Sequence, residues 1–247
     1  MTRRRWIADE FSADLAALTG AHAAHLSRTL RARVGQQFEV ACGDRVRRAT
    51  VSSVQDERVE FTLGEEVAAG EAVPITLLLA VFKFDRMEWA IEKCTELNVT
   101  TIVPVIARRT EKHLALAADK RAERWRRIAR EAAEQSRRIA PPEIGDPVKL
   151  KEALERFSLS RGIGGQQSCD LRIVLAEDER EVSLVDVLRA SLQVKALACA
   201  VGPEGGWTTD ELQLFKTSQW VAASLGDTIL RAETAAIAAV AVARAEL

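Results

Sequence analysis

The chain has 247 residues, of which 47% are apolar and 29% charged; this composition buries a core and excludes a mainly disordered chain. At roughly 150 residues per domain, one large or two modest domains are expected. The 35 Lys and Arg against 36 Asp and Glu leave a net charge of −1, which conceals two locally basic zones taken up below. The apolar run from Val73 to Phe82 is too short to span a membrane. Residues 1–10 are basic and lack the apolar stretch of a secretory signal, so a cytoplasmic location is expected. Cys42, Cys94, Cys169 and Cys199 form no CxxC pair and sit among apolar neighbours, as reduced core thiols do. His22 and His25 lack the further ligands of a metal site, and His113 is distant, so no metal is expected.

In the first seventy residues, Asp14–Leu30 reads as a helical region broken at Gly20. Gln37–Cys42 alternates with Phe38, Val40 and Cys42 on one face, and Gly43-Asp44 is a two-residue hairpin signal. Alternation resumes over Arg48–Val54, breaks at Gln55–Arg58 and returns at Val59, Phe61 and Leu63. Short strands with tight turns predict a small β-barrel or sandwich. The acidic, glycine-flanked stretch Gly64–Gly70 reads as a linker.

Beyond Pro74, strands and helices alternate. Ile75–Val81 reads as a strand buried on both faces. Met87, Ala90, Ile91, Cys94 and Leu97 mark a helix over Asp85–Leu97, with Asn98 as its left-handed cap. A strand over Thr101–Ala107 precedes a long amphipathic helix over Asp119–Ile139, ended by Pro141-Pro142. Phe157–Asp170, with three glycines, reads as a loop. Then come a strand (Leu171–Ala176), a helix (Ser183–Leu192), a buried strand (Val194–Val201), and a helix to Ser218 opened by the capping box Thr208/Glu211. A last strand (Trp220–Leu225) and an alanine-rich helix (Ala232–Leu247) complete an α/β pattern with a mainly parallel sheet.

Residues 1–50 carry nine Arg against five acids, and residues 108–138 eleven Lys or Arg against five acids, whereas 139–190 carry ten acids against seven bases. Two basic zones on a neutral chain point to a local anionic partner such as nucleic acid, or to arginine serving only to solvate helix faces. Three strand ends carry candidate chemistry: Leu175–Asp178, Val201–Gly206 and Leu225–Thr234. Ligands of open α/β sheets bind outside the carboxyl ends of strands, and glycines there let the backbone approach a ligand. The glycines at 202, 205 and 206 make neither a P-loop nor a dinucleotide fingerprint, and no G-x-S-x-G elbow exists.

Together these segments resemble the SPOUT methyltransferases, in particular the RsmE-type 16S ribosomal RNA uridine-N3 methyltransferases. That family carries GPEGG and then LG..ILR.ETA, here Gly202–Gly206 and Leu225–Ala235. Family-like segments also occur at Lys83–Arg86, Glu92–Leu97, Arg124-Trp125, Glu131–Ser136 and Arg138, and near the start at Arg3–Trp6, His25, Leu30-Arg31 and Gly35. The resemblance spans essentially the whole chain. It departs at Asn98, where the family usually has glycine, and at Gly162–Ser168, which looks like a local insertion.

The resemblance implies a PUA-like β-barrel over residues 1–70 that grips RNA, and over 74–247 an α/β-knot methyltransferase domain with a deep trefoil knot. It also implies a homodimer and the cofactor S-adenosylmethionine. The substrate would be 16S ribosomal RNA in the small ribosomal subunit, and the product 3-methyluridine. Gly202, Leu225, Ile229 and Leu230 would read the adenine edge. Leu175, Ala176 and Glu177 would close the pocket, with Val201, Pro203, Glu204, Gly206 and Gly226 completing it. Arg231 would stabilise negative charge on a uracil oxygen, or serve as a structural ion pair. Glu233 would accept the N3 proton, or simply be an acid favoured in a first helical turn. Arg3, Arg4, Arg5, Arg31 and Arg138 would contact phosphates. Two other classes compete: a non-catalytic RNA-binding assembly factor on the same scaffold, and a small-molecule α/β enzyme with an auxiliary barrel.

Overall fold

The computed structural model describes residues 5–67, 72–159, 170–191 and 193–247. They form two compact units, residues up to 71 together with 130–141, and 72–129 together with 142–247. Residues 130–141, placed by sequence in the second domain, therefore cluster with the first unit. The expected insertion at Gly162–Ser168, and Arg3 and Arg4, lie outside the described residues.

The first unit holds a six-stranded sheet, β1 (Arg5–Ile7), β2 (Glu10–Phe11), β3 (Leu15–Thr19), β4 (Gln37–Cys42), β5 (Arg45–Gln55) and β6 (Arg58–Val67), ordered β1-β4-β5-β6-β3-β2. The Gly43-Asp44 hairpin forms as expected, with Cys42 opposite Arg45 and Gly43 at φ +64°. Both sheet edges lie on one continuous stretch. β1 runs parallel to β4 and β2 antiparallel to β3, while Ala8 N–H donates to Ala41 O and Asp9 N–H to Ala17 O. The stretch Arg5–Phe11 thus bends the sheet back on itself around Trp6, Leu18, Val40, Val51 and Phe61. The helical reading of Asp14–Leu30 is corrected. Leu15–Thr19 is a strand paired with β6, and helical turns begin at Gly20, as α1 (Gly20–Ala24) and a π-turn (His25–Thr29). Pairing across the sheet overrides the helix propensity of Leu and Ala there. The linker reading of Gly64–Gly70 is corrected as far as Val67, to which β6 continues; residues 68–71 lie outside the described residues. Within residues 130–141, Arg130 donates to Asp9 at 2.8 Å and to Ile7 O at 3.0 Å.

The second unit is a seven-stranded, all-parallel sheet of β7 (Ile75–Ala80), β8 (Thr101–Ile106), β9 (Glu143–Ile144), β10 (Val148–Lys149), β11 (Leu171–Leu175), β12 (Leu197–Val201) and β13 (Val221–Ala223). The order is β10-β8-β7-β12-β11-β13, with β9 also on β8. Alternate residues of β7 enter different cores, Leu77 and Leu79 on one face and Leu78 and Ala80 on the other, which explains its unbroken apolar run. The first face is covered by α2 (Phe84–Glu96), α3 (Lys112–Gln135), α5 (Leu184–Ala190) and α7 (Ala232–Glu246), the second by α4 (Leu150–Leu159) and α6 (Thr209–Thr217).

α3 starts at Lys112 instead of Asp119, because Leu114 and Ala118 extend the buried stripe of Ala122, Trp125 and Ala129. α4 runs into the segment read as a loop from Phe157, and residues 160–169 lie outside the described part. Asn98 takes φ +64° beyond α2, as its capping role requires. Val99 N–H donates to Cys94 O at 3.1 Å, and Arg244 of α7 donates to the carbonyls of Leu97, Asn98 and Val73. A guanidinium thereby serves the orphan carbonyls at the end of α2.

Candidate active site

The chain reaches β11, passes to β12 beside β7, and crosses back to β13 on the far side of β11. The carboxyl ends of these three strands meet around one cavity of about 420 Å³, large enough for a cofactor-sized ligand. Every residue read from the sequence as cofactor-binding lines it: Leu175, Ala176 and Glu177; Val201, Gly202, Pro203, Glu204 and Gly206; Leu225, Gly226, Ile229 and Leu230. Arg231 also lines it, as the N-cap residue of α7. Ile229 is 78% exposed at this wall, an apolar side chain held in water beside a cavity.

The glycine loop is built by local necessity. Gly206 N–H donates to Pro203 O at 2.8 Å, closing a tight turn in which Gly206 takes φ +68°. A Cβ on Gly202 would lie 3.3 Å from Trp207 Nε1 and 3.4 Å from the Gly206 backbone, so a side chain there would be crowded. Beneath the loop, Trp207 packs edge-on against Phe215 (4.9 Å) and Phe215 against Trp220 (5.2 Å). Trp207 Nε1 is buried without a hydrogen-bond partner among the described residues.

The expected capping box at Thr208 and Glu211 is present and does more than start α6. The Glu211 carboxylate, 3% exposed, accepts from Thr208 N–H (2.9 Å), Thr208 Oγ1 (3.0 Å) and Arg108 N–H (2.7 Å). Arg109, next along, donates to Gly205 O (2.5 Å) and Trp207 O (3.4 Å). The end of β8 therefore staples the glycine loop from outside its own sequence neighbourhood. The other loops are pinned likewise: Ala176 N–H donates to Ala223 O at 3.1 Å, and Leu184 N–H to Ser224 O at 2.9 Å.

Arg86, Arg109, Arg180 and Arg231 line the cavity against Glu177, Asp178, Glu204 and Asp227, so its charges balance while remaining locally uneven. Sequence reading gave no site role to Arg86, Arg109, Arg180 or Trp207. Lys83–Arg86 carried a signal for Arg86, as a motif of the resemblance, but the chain separation hid its destination. Glu233 is placed differently from the cavity residues. It is 4% exposed, is not part of the lining, and pairs through Oε1 with Arg86 Nη1 at 3.6 Å.

The arginines read as phosphate contacts divide. Arg31 is exposed, at φ +51°. Arg138 is half-buried. Arg5 is engaged within the molecule, with Glu39 at 2.9 Å and the Arg137 carbonyl. The basic zone of 108–138 is also partly neutralised internally: Arg124 forms a two-bond fork with Glu88 (2.7 and 2.8 Å) and Arg126 pairs with Asp146 (2.5 Å). Among the described residues no group of three potential metal ligands forms, and no helix is long and apolar enough to cross a membrane.

A parallel sheet with a glycine-walled cavity at three strand ends defines a ligand-binding α/β scaffold. Residues 69–244 match the model of the RNA methyltransferase domain family, and the chain belongs to that family. It is 31% identical over 226 residues to ribosomal RNA small subunit methyltransferase E of Bacillus subtilis, covering 88% of this chain and 85% of that one. It is 32% identical over 227 residues to the protein of the same name from Synechocystis, covering 91% and 71%. The crystal structure of ribosomal RNA small subunit methyltransferase E from Neisseria gonorrhoeae bound to S-adenosyl methionine superposes with TM-score 0.81 at 30% identity, covering 96% and 95% of the two chains.

Proposed function

We propose that the protein methylates N3 of a uridine in 16S ribosomal RNA of the small ribosomal subunit, using S-adenosylmethionine. The observation that carries this reading is the cavity of about 420 Å³ at the ends of β11, β12 and β13, walled by Gly202, Gly206 and Leu225–Leu230. The residues fit the cofactor. A Cβ at Gly202 would fill the cradle, and Leu175, Val201, Leu225 and Leu230 offer apolar surface to a purine, with backbone groups alongside to read its edge. Glu177 and Glu204 add negative charge to the wall on the β11 and β12 loops, where a sulfonium is favoured. When bound, the cofactor supplies an electrophilic methyl group.

The chain's own part is positioning and charge. Holding the base edge in line with the methyl group contributes a large share of the rate, on the order of 7–11 kcal/mol in favourable intramolecular models. Arg231, at the cavity rim, stabilises the negative charge that uracil gains as its N3–H leaves. The reading includes a trefoil-knotted chain in this unit, as the family resemblance implies. The back-folded sheet of the first unit supports a PUA-like RNA-gripping role, with exposed Arg31 as a phosphate contact. The outward face of α7, Thr234, Ala238, Ala241 and Ala245, is small enough for close helix packing in a homodimer. We place this activity in the cytoplasm, with the ribosome.

The test is a calorimetric titration with S-adenosylmethionine, followed by incubation of small subunits with methyl-labelled cofactor. Saturable one-to-one binding with label in the RNA supports the reading. Binding of RNA without binding of cofactor would instead identify a non-catalytic assembly factor.

A further inference from the structure

Glu233 stands in the first turn of α7 and is 4% exposed. Its Oε1 faces Arg86 Nη1 at 3.6 Å, and its Oε2 is buried with no hydrogen-bond partner among the described residues. A carboxylate removed from water and left half-satisfied weakens the fold unless its partner repays the cost, so Arg86 is the group that holds it in place. The partner is at the cavity: Arg86 lines the wall, with its side chain 32% exposed, while Glu233 does not reach it. Arg86 enters from the first turn of α2, and Arg231 stands two residues before Glu233 in the same wall. Arg231 and Ala232, the start of α7, line the cavity too, so the positive end of the helix dipole is at this corner. Arg86, tied to Glu233, and Arg231, two residues before it, thus bring two lining arginines and a helix N-terminus to this part of the wall. Such a corner repels a sulfonium and attracts an oxygen that is gaining negative charge.

Resting on the uridine-N3 reading above, we propose that Arg86 is a second catalytic cation, and that Glu233 is its positioning residue and not the proton acceptor. Ionised uracil spreads its charge over two carbonyl oxygens flanking N3, and the corner supplies two guanidinium groups, Arg86 and Arg231, to meet them. The N3 proton passes to solvent water. The N3 electron pair then forms the new N–C bond as the methyl–sulfur bond breaks, its electrons going to sulfur, so an anion and a cation become two neutral products. Glu233 keeps the Arg86 guanidinium turned to the wall.

The experiment compares wild type with Arg86→Met, Arg86→Lys and Glu233→Gln. It reads S-adenosylmethionine affinity by calorimetry, thermal unfolding, and kcat and KM on small subunits from pH 6 to 10. The cofactor dissociation constant is expected to stay within about twofold in every variant. In Arg86→Met, kcat falls about 100-fold, as for loss of one oxyanion donor. The alkaline-rising limb of its rate moves up by about one pH unit, because the bound base ionises less readily without the cation. Arg86→Lys retains part of the rate and serves as the probe if the methionine variant unfolds. Glu233→Gln loses about tenfold in kcat with its alkaline limb displaced the same way, since its effect is exerted through Arg86.

Parallel loss of cofactor affinity would overturn the proposal in favour of a contact to the cofactor's own carboxylate. A raised KM for subunits with an unmoved pH limb would overturn it in favour of a phosphate contact. Disappearance of the limb in Glu233→Gln alone would make Glu233 the base and overturn it as well. If wild type itself puts no methyl on uridine N3, the reading beneath the proposal fails, and that failure shows in the wild-type arm alone.

Discussion

Replacing Glu211 with alanine tests whether the glycine loop is anchored from outside its own strand. The carboxylate accepts three hydrogen bonds, from Arg108 N–H at 2.7 Å, Thr208 N–H at 2.9 Å and Thr208 Oγ1 at 3.0 Å, in a site 3% exposed. Loss of the reciprocal cap at α6 costs about 1 kcal/mol. Leaving the Arg108 amide without its charged acceptor costs about 1–3 kcal/mol more, so the expected total is about 3 kcal/mol. Thr208→Ala removes the cap oxygen but leaves Glu211 with the two backbone donors, and should cost about 1 kcal/mol. Urea unfolding followed by tryptophan fluorescence measures both, since Trp207 and Trp220 pack edge-on against Phe215 in the same core. The double variant should cost less than the sum, because the two residues share bonds. If Glu211→Ala costs no more than Thr208→Ala, the tie to the end of β8 contributes nothing and the anchoring argument is wrong.

The remaining predictions concern the cavity wall, a helix end, a titration and two thiols. Gly202→Ala places a Cβ 3.3 Å from Trp207 Nε1 and should cost about 1–3 kcal/mol in overpacking while weakening S-adenosylmethionine binding more than tenfold by calorimetry. Arg244→Ala frees the carbonyls of Leu97, Asn98 and Val73 and should destabilise the second unit by about 2–4 kcal/mol in the same urea assay. Arg189 donates two hydrogen bonds to Glu246 and holds its carboxyl below the usual carboxylate range. This pair therefore adds stability above the ordinary carboxylate pKa, and that stability is lost as pH falls through the depressed value; Arg189→Gln should return the NMR titration of Glu246 to the ordinary range. Burial pushes the Cys199 thiol up to about 12 and the Cys94 thiol up as well, so neither should be alkylated at pH 8 until the protein unfolds, as mass spectrometry can show.

The alternation of apolar strands and amphipathic helices made the parallel sheet legible, because β7 carries apolar residues toward both cores and α2 carries Met87, Ala90, Ile91 and Cys94 on one stripe. The segment Leu15–Thr19 was not legible: its Leu and Ala residues are good helix formers, and its strand pairing with Thr62–Arg58 depends on residues about forty positions away. β1, β2, β9 and β10 are two or three residues long, too short to show a period. The strand-end loops could be read because glycine-rich stretches at carboxyl ends carry local steric meaning. Arg86 and Arg109 could not, since a lone arginine in a helix or after a strand looks the same whether it meets solvent or a cavity. The buried state of Glu233 was hidden for the same reason, as an acid in a first helical turn is ordinary.

The most direct measurement of the central claim is the position and chemistry of the methyl group. Small subunits from cells lacking the modification would be incubated with the protein and methyl-labelled S-adenosylmethionine, and the RNA digested to nucleosides and mapped by mass spectrometry. The account predicts one labelled 3-methyluridine in 16S ribosomal RNA, with the yield reduced at least tenfold in Arg231→Ala. Label on a ribose, on another base, or nowhere despite measurable cofactor binding would contradict it.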